Sequence, residues 1–158
     1  MNIIIRPAIP GDFSIIQRLN HALFIEESER GHDARLNLDY PLSVDGEEYY
    51  KRALCDPKKA VFLAEDDQGN FAGYIIGSNY NKFPYRTAIA DELENMYIVP
   101  EARRQGVGAR LVQAFRTWLK ERGAERMYVS AYAKNSSAIA FYTSLGFAPW
   151  EIGFEMEV

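Results

Sequence analysis

The run Arg103-Arg104-Gln105-Gly106-Val107-Gly108 sets two cations and an amide before two glycines separated by one residue. Glycine has no Cβ, so its backbone can approach a ligand closely and adopt the dihedrals that aim successive N–H groups at one point. At a helix start those donors add to the positive end of the helix dipole, and the preferred guest is an anion such as phosphate. Two other phosphate motifs do not fit: no Gly-Lys-Ser/Thr follows, and Leu111 stands where the dinucleotide fingerprint has its third glycine. On the hexapeptide alone, a glycine-containing turn with solvent-facing arginines reads equally well. Two further groups could move protons. Glu92 and Glu94 lie two apart on an extended run, hence on one face, and a carboxylate can accept a proton. Tyr142, within "NSSAIAFYTSLGF" (135–147), carries a phenol that can protonate a departing anion, although a tyrosine on an apolar helix stripe is also an ordinary core residue.

These residues need a scaffold, and the chain has the signals for one. Residues 2–6 read as a short strand, and Asp12 starts a helix that runs to about Arg30 on the spacing of Ile15, Ile16, Leu19 and Leu23. Asp45 opens a shorter helix carrying Tyr49, Tyr50 and Leu54. Residues 60–65 and 71–77 flank a glycine-containing loop as a hairpin. Residues 87–99 form a third strand ending at Pro100, with Glu92, Glu94, Met96 and Ile98 on one face if the pleat is regular. The glycine loop then leads into an amphipathic helix that Gly123 ends. Residues 126–132 read as a strand, Asn135 caps a helix bearing Ala138, Phe141, Tyr142 and Leu145, and residues 147–158 read as one or two closing strands.

Composition narrows the functional classes. With 158 residues, 47% hydrophobic and 25% charged, the chain suits one domain spanning residues 1–158. A net charge of −4 with interspersed signs lacks the cationic face that nucleic acid requires. The apolar run Ile3-Ile4-Ile5 is too short for a membrane span or a signal core. One cysteine, Cys55, cannot form an internal disulfide; it reads as a small packing residue in a cytoplasmic protein. His21 and His32 have no ligand spacing, so no metal is expected.

Taken together, the blocks at 103–108 and 135–147 resemble those of the GNAT superfamily of acyl-CoA-dependent N-acyltransferases. Arg103, Gly106 and Gly108 fit its loop pattern; Asn135, Ala138, Phe141, Tyr142, Gly146 and Phe147 fit its second block. The likeness extends over most of the chain, from "IRPAIPGD" through "VFLAEDDQGNFAGYIIG". It implies an α+β fold with a mixed, mostly antiparallel central sheet of six to seven strands and about four flanking helices. It also implies acetyl-CoA as cosubstrate and no metal. The pyrophosphate would rest on the backbone amides of Arg104, Gln105, Gly106, Val107, Gly108 and Ala109, with Arg103 opening the loop. The pantetheine arm would hydrogen-bond along Met96, Tyr97 and Ile98 like an added strand, and Asn135 and Ala138 would border it, Asn135 also serving as a plain N-cap. Tyr142 becomes the acid for the leaving thiolate, and Glu92, or else Glu94, the base. One departure is Ser130, which stands where members that acetylate protein N-termini often have a glutamate.

The resemblance implies an N-acetyltransferase acting on a primary amine of a small molecule or peptide by direct attack in a ternary complex. A non-catalytic acyl-CoA-binding module of the same fold is the alternative. Residues 21–50 hold Glu26, Glu27, Glu29, Asp33, Asp39, Asp45, Glu47 and Glu48 against Arg30 and Arg35. Such a surface would attract a cationic acceptor such as a polyamine, an aminoglycoside or a lysine-rich peptide, or it is simply solvated. Tyr40, Tyr49, Tyr50, Tyr80, Tyr85 and Tyr132 could supply aromatic faces for an ammonium. A homodimer is left open.

Overall fold

A computed structural model describes residues 2–158. The chain order is β1 (Ile3–Pro7), α1 (Phe13–Glu29), α2 (Val44–Cys55), β2 (Lys59–Asp66), β3 (Phe71–Ser78), β4 (Ala90–Ile98), α3 (Val107–Lys120), β5 (Arg126–Val129) and α4 (Ser136–Ser144), with short 3-10 turns at Pro10–Asp12, Tyr40–Leu42 and Pro100–Ala102. The sheet follows the chain, β1-β2-β3-β4-β5; the first three pairings are antiparallel and β4 with β5 is parallel.

The two faces of this sheet bury two apolar cores. On one, Leu111, Val112, Phe115 and Leu119 of α3 pack against Ile75 and Leu93. Their spacing along α3 makes the single stripe that an amphipathic helix presents to a sheet. On the other, Ile16 and Leu19 of α1 and Tyr50 and Ala53 of α2 cover Leu63, Tyr74 and Ile76.

Several local expectations are refined. Ser43, not Asp45, caps α2, its hydroxyl accepting from the Gly46 amide. Asp12 precedes α1, but its carboxylate accepts from the Ile9 amide and pairs with Arg6, so it ties the 3-10 turn to β1. Cys55 ends α2 exposed rather than packed.

Two differences matter more. The pleat of β4 is not regular, because Ile76 pairs with Asn95 while Gly77 pairs with Leu93, which leaves Glu94 as the extra residue of a β-bulge. Glu92 and Glu94 therefore stay on the α1/α2 face, while Met96 and Ile98 pack with the α3 core. Among the described residues the sheet also has five strands, not six or seven. Residues 147–158 form no strand: Ile152, Phe154, Met156 and Val158 are exposed, Phe154 by 93%. Their alternation with Glu151, Gly153, Glu155 and Glu157 has strand period, but a strand exists only where its backbone finds partners, and this segment meets its own fold through side chains.

Candidate active site

The parallel pairing of β4 with β5 stops at Leu93 and Val129. Beyond it β4 continues five residues to Ile98 while β5 has ended, so residues 94–98 keep one backbone edge unpaired along the gap. This edge is where an extended, peptide-like chain can add as a strand. Met96 faces α3, the Tyr97 ring faces α1, and the Ile98 carbonyl accepts from the Arg103 Nε at 2.9 Å.

The glycine loop stands at the end of this gap. Arg104 has φ 61° and Gly106 φ 77°, so two left-handed residues curl the chain into α3. A Cβ at Gly106 would meet nothing within 4 Å, which makes its backbone conformation the reason for glycine there. Gly108 has a different reason: a Cβ would lie 3.0 Å from Cζ of Phe141, so it sets how closely α3 and α4 approach. Arg110 bonds back to the Gly106 carbonyl at 3.1 Å, and helix geometry leaves the amides of Val107, Gly108 and Ala109 before it without intrahelical acceptors. Gln105 donates to the Glu101 carbonyl at 2.8 Å, bracing the loop, and Arg104 is exposed.

Arg103 faces away from the loop's mouth. Its guanidinium makes a forked pair with Glu26 of α1, at 2.9 and 2.5 Å, and stacks over Tyr97 at 5.5 Å. Burial opposes ionisation of Glu26, yet the Arg103 partnership holds its carboxyl below the ordinary range. The pair bolts the loop to α1.

On the other side of the gap, Asn135 accepts from the Ala138 amide at 2.9 Å, capping α4, and donates to Glu27 at 3.0 Å. Ala138 is half-buried in the first turn. One turn further, Tyr142 packs edge-on between Phe141 and Phe147, with ring centroids 5.3 and 5.4 Å away. Burial, followed by the field of Glu27, pushes its phenol up to about 12, so it keeps its proton at neutral pH.

Of the two β4 carboxylates, Glu94 is the more engaged. Lys59 lies 2.7 Å from both its oxygens and the Tyr49 hydroxyl also donates to it. Burial works against its charge, but these donors hold it below the usual carboxylate range. Glu92 pairs with the more exposed Lys82 at 2.9 Å. In the acidic segment 21–50, Glu47 and Glu48 form exposed helical pairs with Lys51 and Arg52, and the Glu48–Arg52 pair, with Asp45, Tyr40, Tyr49 and Lys59, lines a hollow of about 390 Å³ on the α2 side. A hollow of about 570 Å³ lies elsewhere, between β2, α2 and the far end of α3. No three His, Cys, Asp or Glu side chains converge on a metal position among the described residues.

Sequence reasoning missed the Glu26–Arg103 and Glu27–Asn135 links and the role of Lys59. The first two join residues 77 and 108 positions apart, beyond any local periodicity.

The profile of the Acetyltransferase (GNAT) family matches residues 21–147, from within α1 through the loop to the end of the second block. The chain belongs to the GNAT acetyltransferase family. A mycothiol acetyltransferase of Pseudarthrobacter chlorophenolicus is 28% identical over 152 residues, 94% of this chain and 43% of that protein. This GNAT chain thus spans less than half the length of that curated relative. An aminoglycoside N(6')-acetyltransferase type 1 of Klebsiella aerogenes is 40% identical over 55 residues, 35% of this chain and 36% of that protein. Among solved structures, a mutant protein of Bacillus halodurans superposes with a TM-score of 0.82 at 21% identity, covering 98% of this chain and 99% of that one. The aminoglycoside N-acetyltransferase AAC(6')-Iy in complex with CoA gives 0.79 at 19% identity, over 99% and 95%. These likenesses establish the GNAT fold.

Proposed function

We propose that the protein transfers the acetyl group of acetyl-CoA to a primary amine. The observation that carries this reading is the unpaired edge of β4 at residues 94–98, with the amides of the α3 start at one end and the protonated Tyr142 across the gap. Acetyl-CoA supplies a thioester whose carbonyl carbon accepts a nucleophile. The backbone of Met96, Tyr97 and Ile98 holds the pantetheine, residues 104–109 hold the pyrophosphate, and Asn135 and Ala138 border the arm. Tyr142 donates its proton to the leaving thiolate. Glu92, with only an exposed lysine as partner, takes the proton that nitrogen sheds through water as the amide forms, while Glu94 keeps negative charge on the same face.

The acceptor is cationic. Asp45 beside Tyr40 and Tyr49 offers a carboxylate and aromatic faces to an ammonium, as a polyamine, an aminoglycoside or a basic peptide would present it, in a hollow that the Glu48–Arg52 pair and Lys59 also line. The similarity to an aminoglycoside acetyltransferase supports the second of these. The setting is cytoplasmic, which fits an exposed Cys55 with no other cysteine. The protein works as a homodimer in which each copy's residues 152–158 pair with the other: the apolar row of Ile152, Phe154, Met156 and Val158 is exposed, and β5 has no neighbour on its outer edge among the described residues.

The test is thiol release from acetyl-CoA with a panel of polyamines, aminoglycosides, amino acids and peptides. Turnover with at least one amine is expected. Tight acetyl-CoA binding with no turnover on any of them would replace the enzyme by a binding module.

A further inference from the structure

Two residues outside the sequence motifs, Glu27 and His32, pair at the end of α1, and Glu27 reaches the cap of α4 that borders the gap. Their meeting is local in origin. α1 ends with Gly31 at φ 69°, its amide bonded to the Ser28 carbonyl at 2.9 Å, while the His32 amide reaches back to the Glu27 carbonyl at 2.9 Å. This is the Schellman pattern, and it returns residue 32 alongside residue 27. The side chains then pair: His32 Nδ1 is 2.6 Å from Glu27 Oε2, and both are mostly buried. The other oxygen, Oε1, accepts from Asn135 at the cap of α4. Where Oε2 accepts, Nδ1 carries the hydrogen, and Nε2 of the neutral ring then keeps a lone pair. Glu27 thereby links the imidazole to the cap of α4, the helix that carries Tyr142.

We infer that His32 takes the proton from the incoming ammonium before attack, with Glu27 as its positioning residue; this rests on the amine acetyltransfer reading. The ammonium gives one proton to His32 Nε2, which passes it to solvent. The freed nitrogen pair bonds to the acetyl carbon, and the carbon–sulfur bond breaks. The thiolate takes the Tyr142 proton, and the second nitrogen proton returns through water and Glu92 to the phenolate. An imidazole suits the first step because, of all side chains, its ordinary proton affinity lies nearest neutrality. The charged groups of the elements meeting there include Glu26, Glu27, Glu29 and Arg30 at the end of α1, with Glu26 held by Arg30 and Arg103, Asp33 beside Tyr132, Lys134 before the α4 cap, and Arg35, which the tail's Glu155 and Glu157 hold.

The experiment records kcat/KM against pH for the full chain and for His32→Gln, Glu27→Gln and Glu92→Gln, with acetyl-CoA affinity and thermal midpoint measured on each. His32→Gln is expected to lose about 100-fold at neutral pH. Its acid limb should move up to the ionisation of the free amine, and added imidazole should restore part of the rate. In Glu27→Gln the amide nitrogen donates to Nδ1, the hydrogen moves to Nε2, and the same loss follows with His32 intact. Acetyl-CoA affinity and midpoint should stay near those of the parent, which separates this role from a structural one. If His32→Gln keeps the parent's rate and pH profile, or imidazole restores nothing, the assignment is wrong. If the parent turns over no amine, the reading beneath it fails as well.

Discussion

At the scale of single residues, the site divides into groups held ready and groups already spent. Tyr142 belongs to the first kind, with a phenol kept protonated by burial and by Glu27. Tyr142→Phe retains the ring packing and removes the proton. A fall in kcat of about 100-fold is expected with acetyl-CoA affinity unchanged, read by thiol release and calorimetry. An unchanged kcat would leave Tyr142 a packing residue. Glu94 belongs to the second kind. Glu94→Gln strands Lys59 in a poorly solvated position, so unfolding free energy should drop by about 2 kcal/mol at neutral pH in urea melts. The pH dependence has a definite sign. The folded-state pKa of Glu94 is depressed, so its stabilisation is present above the unfolded carboxylate pKa and is lost as pH falls through the folded one. The parent should therefore lose part of its stability in acid that the glutamine variant no longer has to lose.

At the scale of elements, the glycine loop shows why a motif can be right for two unrelated reasons. Gly106 supplies a left-handed turn and Gly108 a close helix contact, though both answer to one sequence pattern. Gly106→Ala should cost about 1 kcal/mol in backbone strain and weaken acetyl-CoA binding with it, because the amides that follow are re-aimed. Gly108→Ala should lower stability by about 1 to 2 kcal/mol through overpacking against Phe141. Phe141→Leu in the same chain should recover part of that, whereas it should do nothing for Gly106→Ala. Denaturant melts on the four variants decide, and equal rescue of both would contradict the division. The bulge at Glu94 is a second instance: alternation along β4 predicts four residues on one face, but one inserted residue divides them.

At the scale of the molecule, α1 acts as a tie across the cleft, with Glu26 fastened to the loop after β4 and Glu27 to the cap of α4. The exposed tail is the other large-scale feature. Removing residues 152–158 should convert a dimer to a monomer in light scattering while leaving the fold of each copy intact by circular dichroism. A full-length chain that is monomeric at micromolar concentration would remove the homodimer from the reading. No helix among the described residues is long and apolar enough to cross a membrane.

The elements and the loop were legible in the sequence because they depend on local terms: the stripe of α3, the caps at Asn135 and Gly123, the stop at Pro100 and the glycines before α3. Even the Gly31 turn that seats His32 beside Glu27 is local, though no motif draws the eye to it. The partners of Arg103, Asn135, Glu94 and Tyr142, the place where β4 slips register, and the failure of the tail to join its own sheet were decided only by the tertiary structure. Each depends on which distant groups compete for one charge or one backbone edge, and the order of residues along a chain does not contain that competition.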